Sequence, residues 1–231
     1  LDGVRGIYLN ELTRERAANY AAALAQLLWR DAPLTLGDRP TSAPAARLGP
    51  LVVAGFDERP SSPDIAVGVV RALRTMSCRV IDVGQVTRPG FSFAVDHLQA
   101  AAGIHITGAG RGPVWSGLDF VSAGAVPISA GDTLRAIERL STNPLSRPSR
   151  QAGQLRAFHA AIPYEAGLWK HFHALRPLKV VCGTSSELVG GLLTRIFDKL
   201  PGELFLTKTP LRQRNLASPD VTDYGLLADE V

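Results

Sequence analysis

The chain has 231 residues, 45% apolar and 20% charged, a composition that is typical of soluble globular proteins and excludes the disordered and fibrous classes. It contains no run of about 18 uncharged apolar residues, so we expect no membrane-spanning helix. The formal net charge of +4 is spread along the chain, whereas nucleic-acid-binding proteins concentrate basic residues in a stripe, so we expect no nucleic-acid partner.

Strand and helix patterns alternate through residues 1–140. Apolar residues at helical spacing predict a helix over 14–29 with Thr13 as its N-cap, and Ser62 followed by Pro63 favours the start of another helix. Continuous apolar runs are typical of strands buried on both faces. The predicted strands are 51–54, 80–83, 102–107 and 118–121, and the later helices are 62–76, 91–98 and 132–140. Strands separated by helices predict an α/β/α layered fold with a mixed, mostly parallel sheet.

A change of composition follows this region. The stretch from residue 141 is rich in Ser, Pro and Arg and has no apolar periodicity, so we interpret 141–157 as a linker. The elements predicted after it indicate a second, smaller α/β domain over 158–231. They are helices at 164–175 and 187–200, strands at 178–182 and 203–207, and a helix from Pro219. Because two strands are few and the chain begins with Leu1, we expect an excised piece whose second domain is incomplete.

Four loops lie beyond the carboxyl ends of predicted strands, where such sheets bind ligands. These loops are 3–6, 55–63, 108–117 and 183–186. The third contains Arg111 among three glycines, and free backbone N–H groups beside an arginine can hold a phosphate. Its spacing is neither that of a dinucleotide-binding loop nor that of a P-loop, so a plain glycine turn is the alternative. In the second loop, Asp57 and Arg59 are expected to form a structural pair.

Other chemistry-bearing residues give weaker signals. His105 lies inside an apolar strand, and His171 and His173 are two residues apart, which places them on different faces of a helix, so we expect no metal site. Cys78 and Cys182 lie far apart without C-x-x-C spacing, which indicates buried, reduced thiols in a cytoplasmic protein. The start of the chain has no signal-peptide pattern.

Four blocks of sequence, in order and at matching spacing, together carry a specific resemblance. They are D-G-V-R-G at 2–6, V-V-A-G-F-D-E-R-P-S-S at 52–62, V-I-D-V-G-Q-V-T-R-P at 80–89, and G-I-H-I-T-G-A-G-R-G-P at 103–113 followed by G-L-D-F at 117–120. They are similar to G-x-D-G-V-R-G, V-V-G-R-D-T-R-x-S-S, V-x-D-x-G-x-x-x-T-P and G-I-x-I-T-A-S-H-N-P-P…N-G-x-K-F of the α-D-phosphohexomutases, which include phosphoglucomutase and phosphomannomutase. The strand at 178–182, followed by Gly190 and Gly191, resembles the start of the family's second domain.

The resemblance implies a four-domain mutase of which this chain holds the first domain and most of the second. The family moves a phosphoryl group between the 1- and 6-positions of a hexose, an intramolecular phosphotransferase reaction. A phosphoserine on the T-A-S-H-N-P loop gives its phosphoryl group to the sugar. Mg²⁺ is held by that phosphate and by three Asp of a later loop, which is expected beyond Val231. Sugar and phosphate recognition comes from the third and fourth domains.

The chain departs from the family pattern at the residues that carry this chemistry. Ala109 stands at the phosphoserine position and has no hydroxyl to accept a phosphoryl group. Asp119 stands in place of a Lys, so a side chain that would attract a phosphate is replaced by one that repels it. The electrostatic energy between side chain and phosphate changes by several kcal/mol at a distance of about 4 Å and an effective dielectric near 20. Arg5, Asp57 and Arg59 match the pattern.

We therefore expect a phosphoglucomutase/phosphomannomutase-like protein of carbohydrate metabolism that has lost or changed its catalysis, with no cofactor in this chain. Its expected ligand is a hexose phosphate or an inorganic anion. The residues predicted to bind this ligand are Arg5, Thr107, Gly108, Gly110, Arg111 and Gly112. Two alternatives stay open: an active mutase in which Thr107 or Ser116 accepts the phosphoryl group, and a doubly wound module that binds a nucleotide or a protein.

Overall fold

Eight strands and six α-helices form within residues 3–31, 49–143, 146–148, 150–173, 175–209 and 228, which are those that the computed structural model describes. The strands are β1 (Val4–Ile7), β2 (Leu51–Phe56), β3 (Arg79–Gln85), β4 (Ala102–Ile106), β5 (Trp115–Ser122), β6 (Leu155–Ala157), β7 (Lys179–Thr184) and β8 (Glu203–Lys208). The helices are α1 (Arg14–Asp31), α2 (Ser62–Thr75), α3 (Arg88–His97), α4 (Asp132–Ser141), α5 (Ala161–Trp169) and α6 (Glu187–Phe197), with a 3-10 turn at Ala123–Ala125.

The first six strands form one sheet in the order β1-β5-β4-β2-β3-β6. β2 pairs in parallel with β3 and with β4, and β3 pairs in parallel with β6. β5 runs antiparallel to both of its neighbours, β1 and β4. Helices α2 and α3 connect the three central parallel strands, as parallel pairing requires. The mixed, mostly parallel sheet predicted from the sequence is confirmed.

Helices cover both faces of this sheet. One face packs against α1, α2 and α4, where Leu24, Ile65 and Ile137 are buried in a single apolar cluster. The other face packs against α3 and the residue that precedes α5, with Phe91 and Ala160 in a second cluster. All five residues of β4 are buried, which is why a continuous apolar run marks this strand in the sequence. The α/β/α layers are therefore as predicted.

β7 and β8 form a separate, two-stranded parallel sheet. α6 connects these strands, and its N-cap Ser186 accepts a hydrogen bond from the Val189 N–H at 3.1 Å. Most side chains of this unit are half-buried or exposed. It is the smaller of the two α/β units, and its strand and helix order matches the sequence pattern.

Two segments differ from the sequence-based expectation. The predicted loop 3–6 belongs to the edge strand β1, which pairs with β5 in antiparallel register. Part of the predicted linker 141–157 forms β6, which pairs with β3. The three side chains of β6 are exposed, so only its backbone joins the sheet and no apolar pattern marks it. Short edge strands leave little periodicity in a sequence.

The start of α2 also differs. Ser61, rather than Ser62, is the N-cap, and its side chain makes no capping bond. Ser62 lies in the first turn, and its hydroxyl donates to Asp57 Oδ1 at 2.6 Å. The helix predicted from Pro219 falls almost entirely outside the described residues. Within the described part of the chain, no helix is both long and apolar enough to cross a membrane.

Candidate functional site

A cleft of about 370 Å³ opens at the carboxyl ends of β2 and β4. It is lined by residues from 57–59, 86–89, 107–110 and 185–189. Three of the loops predicted from the sequence thus meet at one place, the position expected for a ligand in such a sheet. A larger groove of about 610 Å³ lies between α2 and β6, but its lining is mainly apolar and contains none of the predicted site residues.

The loop after β4 turns sharply at the mouth of the cleft. Ala109 has φ 46° and Gly110 has φ 77°, a left-handed conformation that strains Ala but not Gly. Ala109 N–H donates to Thr107 Oγ1 at 3.0 Å, and Arg111 N–H donates to the Gly108 carbonyl at 3.0 Å. Ala109 and Gly110 are exposed at the tip of the turn. The position that the resemblance assigns to phosphoserine is therefore accessible, and it carries only a methyl group.

Arg59 holds this loop in place. It is only 6% exposed, and its Nη1 donates to the carbonyls of Gly112 at 2.8 Å and Trp115 at 3.1 Å, while Nη2 donates to the carbonyl of Arg111 at 2.7 Å. A Cβ on Gly108 would overlap the guanidinium group. The close approach of loop and arginine therefore requires glycine at position 108.

Asp57 completes this arrangement. Its Oδ1 accepts the Arg59 backbone N–H at 3.1 Å, and its Oδ2 accepts Arg59 Nε and the Gly108 N–H, each at 3.2 Å. The structural pair predicted for these two residues is confirmed, and it also fixes the loop after β4. Nearly all of the donors on Arg59 are thus used within the protein.

A second charged cluster lies beside the first. Asp119 is buried on β5, with a side chain 3% exposed, and both of its oxygens accept from arginines. Arg5 Nη2 donates to one oxygen, and Arg88 Nη1 donates to the other at 2.8 Å. Asp119 is therefore ion-paired on both oxygens, and the repulsion expected between it and a bound phosphate stays a prediction.

Arg5 faces inward. Its side chain is 9% exposed, and Nη1 donates to the carbonyls of Val4 at 2.8 Å and Leu118 at 3.2 Å. Arg111 lies over the Trp115 ring, with its guanidinium carbon 4.6 Å from the ring centroid, a cation–π arrangement. The cleft lining includes neither arginine. Their predicted role in anion binding stays a prediction.

His105 lies at the floor of the cleft. Its ring stacks on Phe91 at a centroid distance of 4.9 Å, and Nε2 lies 3.1 Å from the Val86 carbonyl. Burial lowers the pKa of His105 below its ordinary value, so the ring is mostly neutral at pH 7 and Nε2–H donates to that carbonyl. Nδ1 is buried and has no hydrogen-bond partner among the described residues.

The two hydroxyls considered as alternative acceptors are both covered. Thr107 is 8% exposed, and its Oγ1 accepts the Ala109 N–H. Ser116 is fully buried on β5, and its Oγ has no partner within the described part of the chain. Gly108 and Gly112 are buried as well, whereas Gly110 is exposed. Of the glycines predicted to face an anion, Gly110 is the one that lines the cleft.

No cluster that could hold a metal ion is found among the described residues. His171 and His173 lie beyond the end of α5 at Trp169 rather than on a helix. Cys78 is buried and Cys182 half-buried, and neither forms a disulfide.

Three residues of the site were not predicted from the sequence. Arg88 is described above. Glu58 accepts hydrogen bonds from Ser186 Oγ and from the Leu188 N–H, the latter at 2.8 Å, so it joins the first sheet to the start of α6. Trp115 supplies the ring below Arg111. The sequence contained one signal for Arg88. It stands where the family pattern V-x-D-x-G-x-x-x-T-P has Thr, so the chain departs from the pattern at Arg88 as well as at Asp119.

Comparisons with known proteins support the resemblance. Residues 1–146 match the family model described as phosphoglucomutase/phosphomannomutase, alpha/beta/alpha domain I. The chain belongs to the phosphoglucomutase/phosphomannomutase family. A phosphomannomutase/phosphoglucomutase from Pseudomonas aeruginosa is 25% identical over 186 residues, which are 80% of this chain and 39% of that protein. A phosphoglucosamine mutase from Frankia casuarinae is 31% identical over 146 residues, 63% of this chain and 30% of that protein.

The fold is shared with a solved structure from the same family. A crystal structure of a phosphoglucomutase/phosphomannomutase family protein from Burkholderia thailandensis superposes with a TM-score of 0.72 at 23% identity, covering 89% of this chain and 42% of that one. The chain thus spans about two fifths of the length of the Pseudomonas and Burkholderia relatives.

Proposed function

We propose that this phosphohexomutase-family chain binds a phosphate-bearing ligand, a hexose phosphate or inorganic phosphate, in the cleft and transfers no phosphoryl group itself. The main support for this proposal is the residue at position 109, which is Ala. It stands at the exposed tip of the loop after β4, where the resemblance places the phosphoserine, and a methyl group cannot form a phosphate ester.

The burial of the alternative acceptors supports this proposal. A nucleophilic oxygen has to come within about 3–3.5 Å of the phosphorus that it attacks. Ser116 Oγ lies inside the protein on β5, and Thr107 Oγ1 is engaged by the backbone of its own turn. Neither hydroxyl has a base among the residues that bond to it. Accepting a phosphoryl group would require the turn to open at Thr107, or β5 to expose Ser116.

The residues of this loop also do not fit the family's Mg²⁺ site. In the family the ion is held in part by the phosphate on serine, and Ala109 offers no oxygen at that point. Asp119 is already bonded to two arginines. We therefore assign no metal-dependent step to the described residues.

The backbone of the loop is held in place although the loop lacks the family's reacting group. Arg59 and Asp57 fix its backbone through buried, charge-assisted hydrogen bonds, and such bonds are stronger than neutral ones. A fixed loop whose exposed Gly110 lines the cleft, beside the cluster of Arg5, Asp119 and Arg88, provides a site for an anion without providing an acceptor. The two free thiols support the proposal of a cytoplasmic location.

A paired measurement tests this function. The purified chain is assayed for conversion of glucose 1-phosphate to glucose 6-phosphate with glucose 1,6-bisphosphate present, and for binding of glucose 1-phosphate by calorimetry. We expect saturable binding without turnover. Turnover above that of a mock purification contradicts the loss of catalysis, and absence of saturable binding by hexose phosphate and by phosphate contradicts the binding function.

A further inference from the structure

The first sheet ends in an open edge at β6. This strand pairs with β3 on one side, and it is the last strand in the order of the sheet. The Gln154 carbonyl accepts a hydrogen bond from β3 at 2.8 Å, and the Phe158 N–H donates to β3 at 2.9 Å. Because successive residues of a strand direct their backbone groups to opposite sides, the N–H and C=O groups of Leu155 and Ala157 face away from β3. Among the described residues, no strand pairs with that side.

The groove of about 610 Å³ described above lies between this edge and α2. Val67 lines it from α2 and Leu155 lines it from β6, and these side chains are 57% and 43% exposed. Phe56 and Val70, both half-buried, extend the apolar lining. Exposed apolar surface in a groove favours contact with another apolar surface, since covering it removes it from water. The groove therefore offers space for apolar side chains directly beside an unpaired strand.

The helix side of the groove is basic. Arg71 and Arg74 line it from the last turns of α2, and neither takes part in a salt bridge of the described residues. Arg74 Nε donates to the Gly153 carbonyl at 3.1 Å, a neutral acceptor that leaves the positive charge uncompensated. The lining contains one carboxylate, Asp82, whose Oδ1 accepts the Gly84 N–H at 2.8 Å. The groove thus favours an acidic ligand over a basic one.

The chain that forms the edge is basic as well. Residues 146–157 include Arg147, Arg150 and Arg156 but no Asp or Glu, and all three arginines are exposed. Arg147 Nε donates to the Thr75 carbonyl at 3.1 Å, so this segment lies against the end of α2. Edge-to-edge pairing of two copies of the chain would bring these like charges together, which disfavours it. The charge of the edge therefore fits an acidic strand from a different protein.

We propose that β6 and the groove bind an extended, acidic segment of a partner protein, which joins the sheet as a further strand. Its backbone bonds to Leu155 and Ala157, its alternate apolar side chains enter the groove, and its carboxylates lie beside Arg71 and Arg74. In strand addition of this kind, main-chain hydrogen bonds supply affinity and the contacts of alternate side chains supply specificity. The groove shares no lining residue with the cleft, so this inference is independent of the proposed function.

Fluorescence anisotropy of labelled peptides, titrated with the 231-residue chain, tests the proposal. The probe is a peptide of about ten residues in which Glu and Val alternate, and its counterpart has Lys in place of Glu. We expect saturable binding of the Glu–Val peptide, weakened by added salt, and no saturable binding of the Lys–Val peptide. Absence of saturable binding by the Glu–Val peptide, or equal binding of the two peptides, overturns the proposal.

Paired charge variants separate the groove from general electrostatics. Arg71→Gln combined with Arg74→Gln should weaken binding of the Glu–Val peptide about fivefold or more, because two exposed ion pairs are lost. The matched control is Arg135→Gln combined with Arg139→Gln, which removes the same charge from exposed positions of α4 and should change binding less than about twofold. Equal losses in the two double variants would contradict binding in the groove.

Amide hydrogen exchange reports the strand addition itself. The Leu155 and Ala157 amides should exchange more slowly when the Glu–Val peptide is bound, and the Arg156 amide, which faces β3, should change less. Ala157→Pro removes one outward donor without removing a bond to β3, so it should weaken binding about fivefold or more in a chain that circular dichroism shows to be folded. Unchanged exchange at Leu155 and Ala157 overturns the proposal, as does equally tight binding of a uridine oligonucleotide of the same charge, which would show a general polyanion surface.

Discussion

Replacement of Arg59 by Ala should destabilise the chain more than replacement of any other single charge in the cleft. The side chain is buried, and its removal leaves the carbonyls of Arg111, Gly112 and Trp115 without their donor. It also leaves Asp57 without its charged partner. Breaking a buried pair by removing one member costs about 3–5 kcal/mol, so we expect a loss of free energy of unfolding in that range.

Urea unfolding followed by circular dichroism measures this loss. The matched control is Arg111→Ala in the same loop. It removes a guanidinium group of equal charge whose side-chain contact is the Trp115 ring, so about 0.5–1 kcal/mol should be lost. Amide hydrogen exchange provides a local readout, because the Gly108 N–H should exchange faster in the Arg59 variant. A loss below about 1 kcal/mol for Arg59→Ala, or equal losses for the two variants, would refute the assignment of Arg59 as the residue that fixes the loop.

Three other predictions concern thiols, pH and the start of α6. Burial raises the pKa of the Cys78 thiol to about 12. A thiol reagent at pH 8 should therefore label Cys182 in the native chain and Cys78 only after unfolding, and equal labelling rates of the two thiols in the native chain would contradict this. Burial lowers the pKa of His105 below 6.5, so the unfolded chain takes up the proton first as the pH falls and the free energy of unfolding decreases below about pH 6.5. The free energy of unfolding of the wild-type chain should exceed that of His105→Gln by less and less over the same pH interval. A difference that does not change with pH would contradict the lowered pKa of His105. Glu58→Ala should speed hydrogen exchange of the Leu188 amide and lower the free energy of unfolding by about 1 kcal/mol, and Glu58→Gln should have smaller effects on both. An unchanged exchange rate would show that the contact between Glu58 and α6 does not stabilise the start of this helix.

The sequence predicts the central part of the fold well, for a physical reason. β2 and β4 are buried on both faces and α2 on one, so their residues carry continuous or helical apolar patterns. β1 and β6 were missed because they lie at the two edges of the sheet. The pairing of an edge strand is made by its backbone, and backbone hydrogen bonds place few demands on side-chain type.

The candidate site was predicted in part. Its loops and the pair of Asp57 and Arg59 follow from motif positions along the chain. The contact between Arg88 and Asp119 joins residues 31 apart in sequence, and only the order of strands in the sheet brings them together. The ion pairs of Asp119 could not be predicted from the sequence for the same reason, because the partners of a charge are its neighbours in space.

Intact-mass spectrometry after incubation with glucose 1,6-bisphosphate tests whether this chain can accept a phosphoryl group. The claim is that a chain with the phosphohexomutase fold and Ala109 at the tip of its loop has no group that accepts phosphate. We expect the mass of the wild-type chain to be unchanged. A stoichiometric gain of one phosphoryl group, mapped by fragmentation to Thr107 or Ser116, would contradict it.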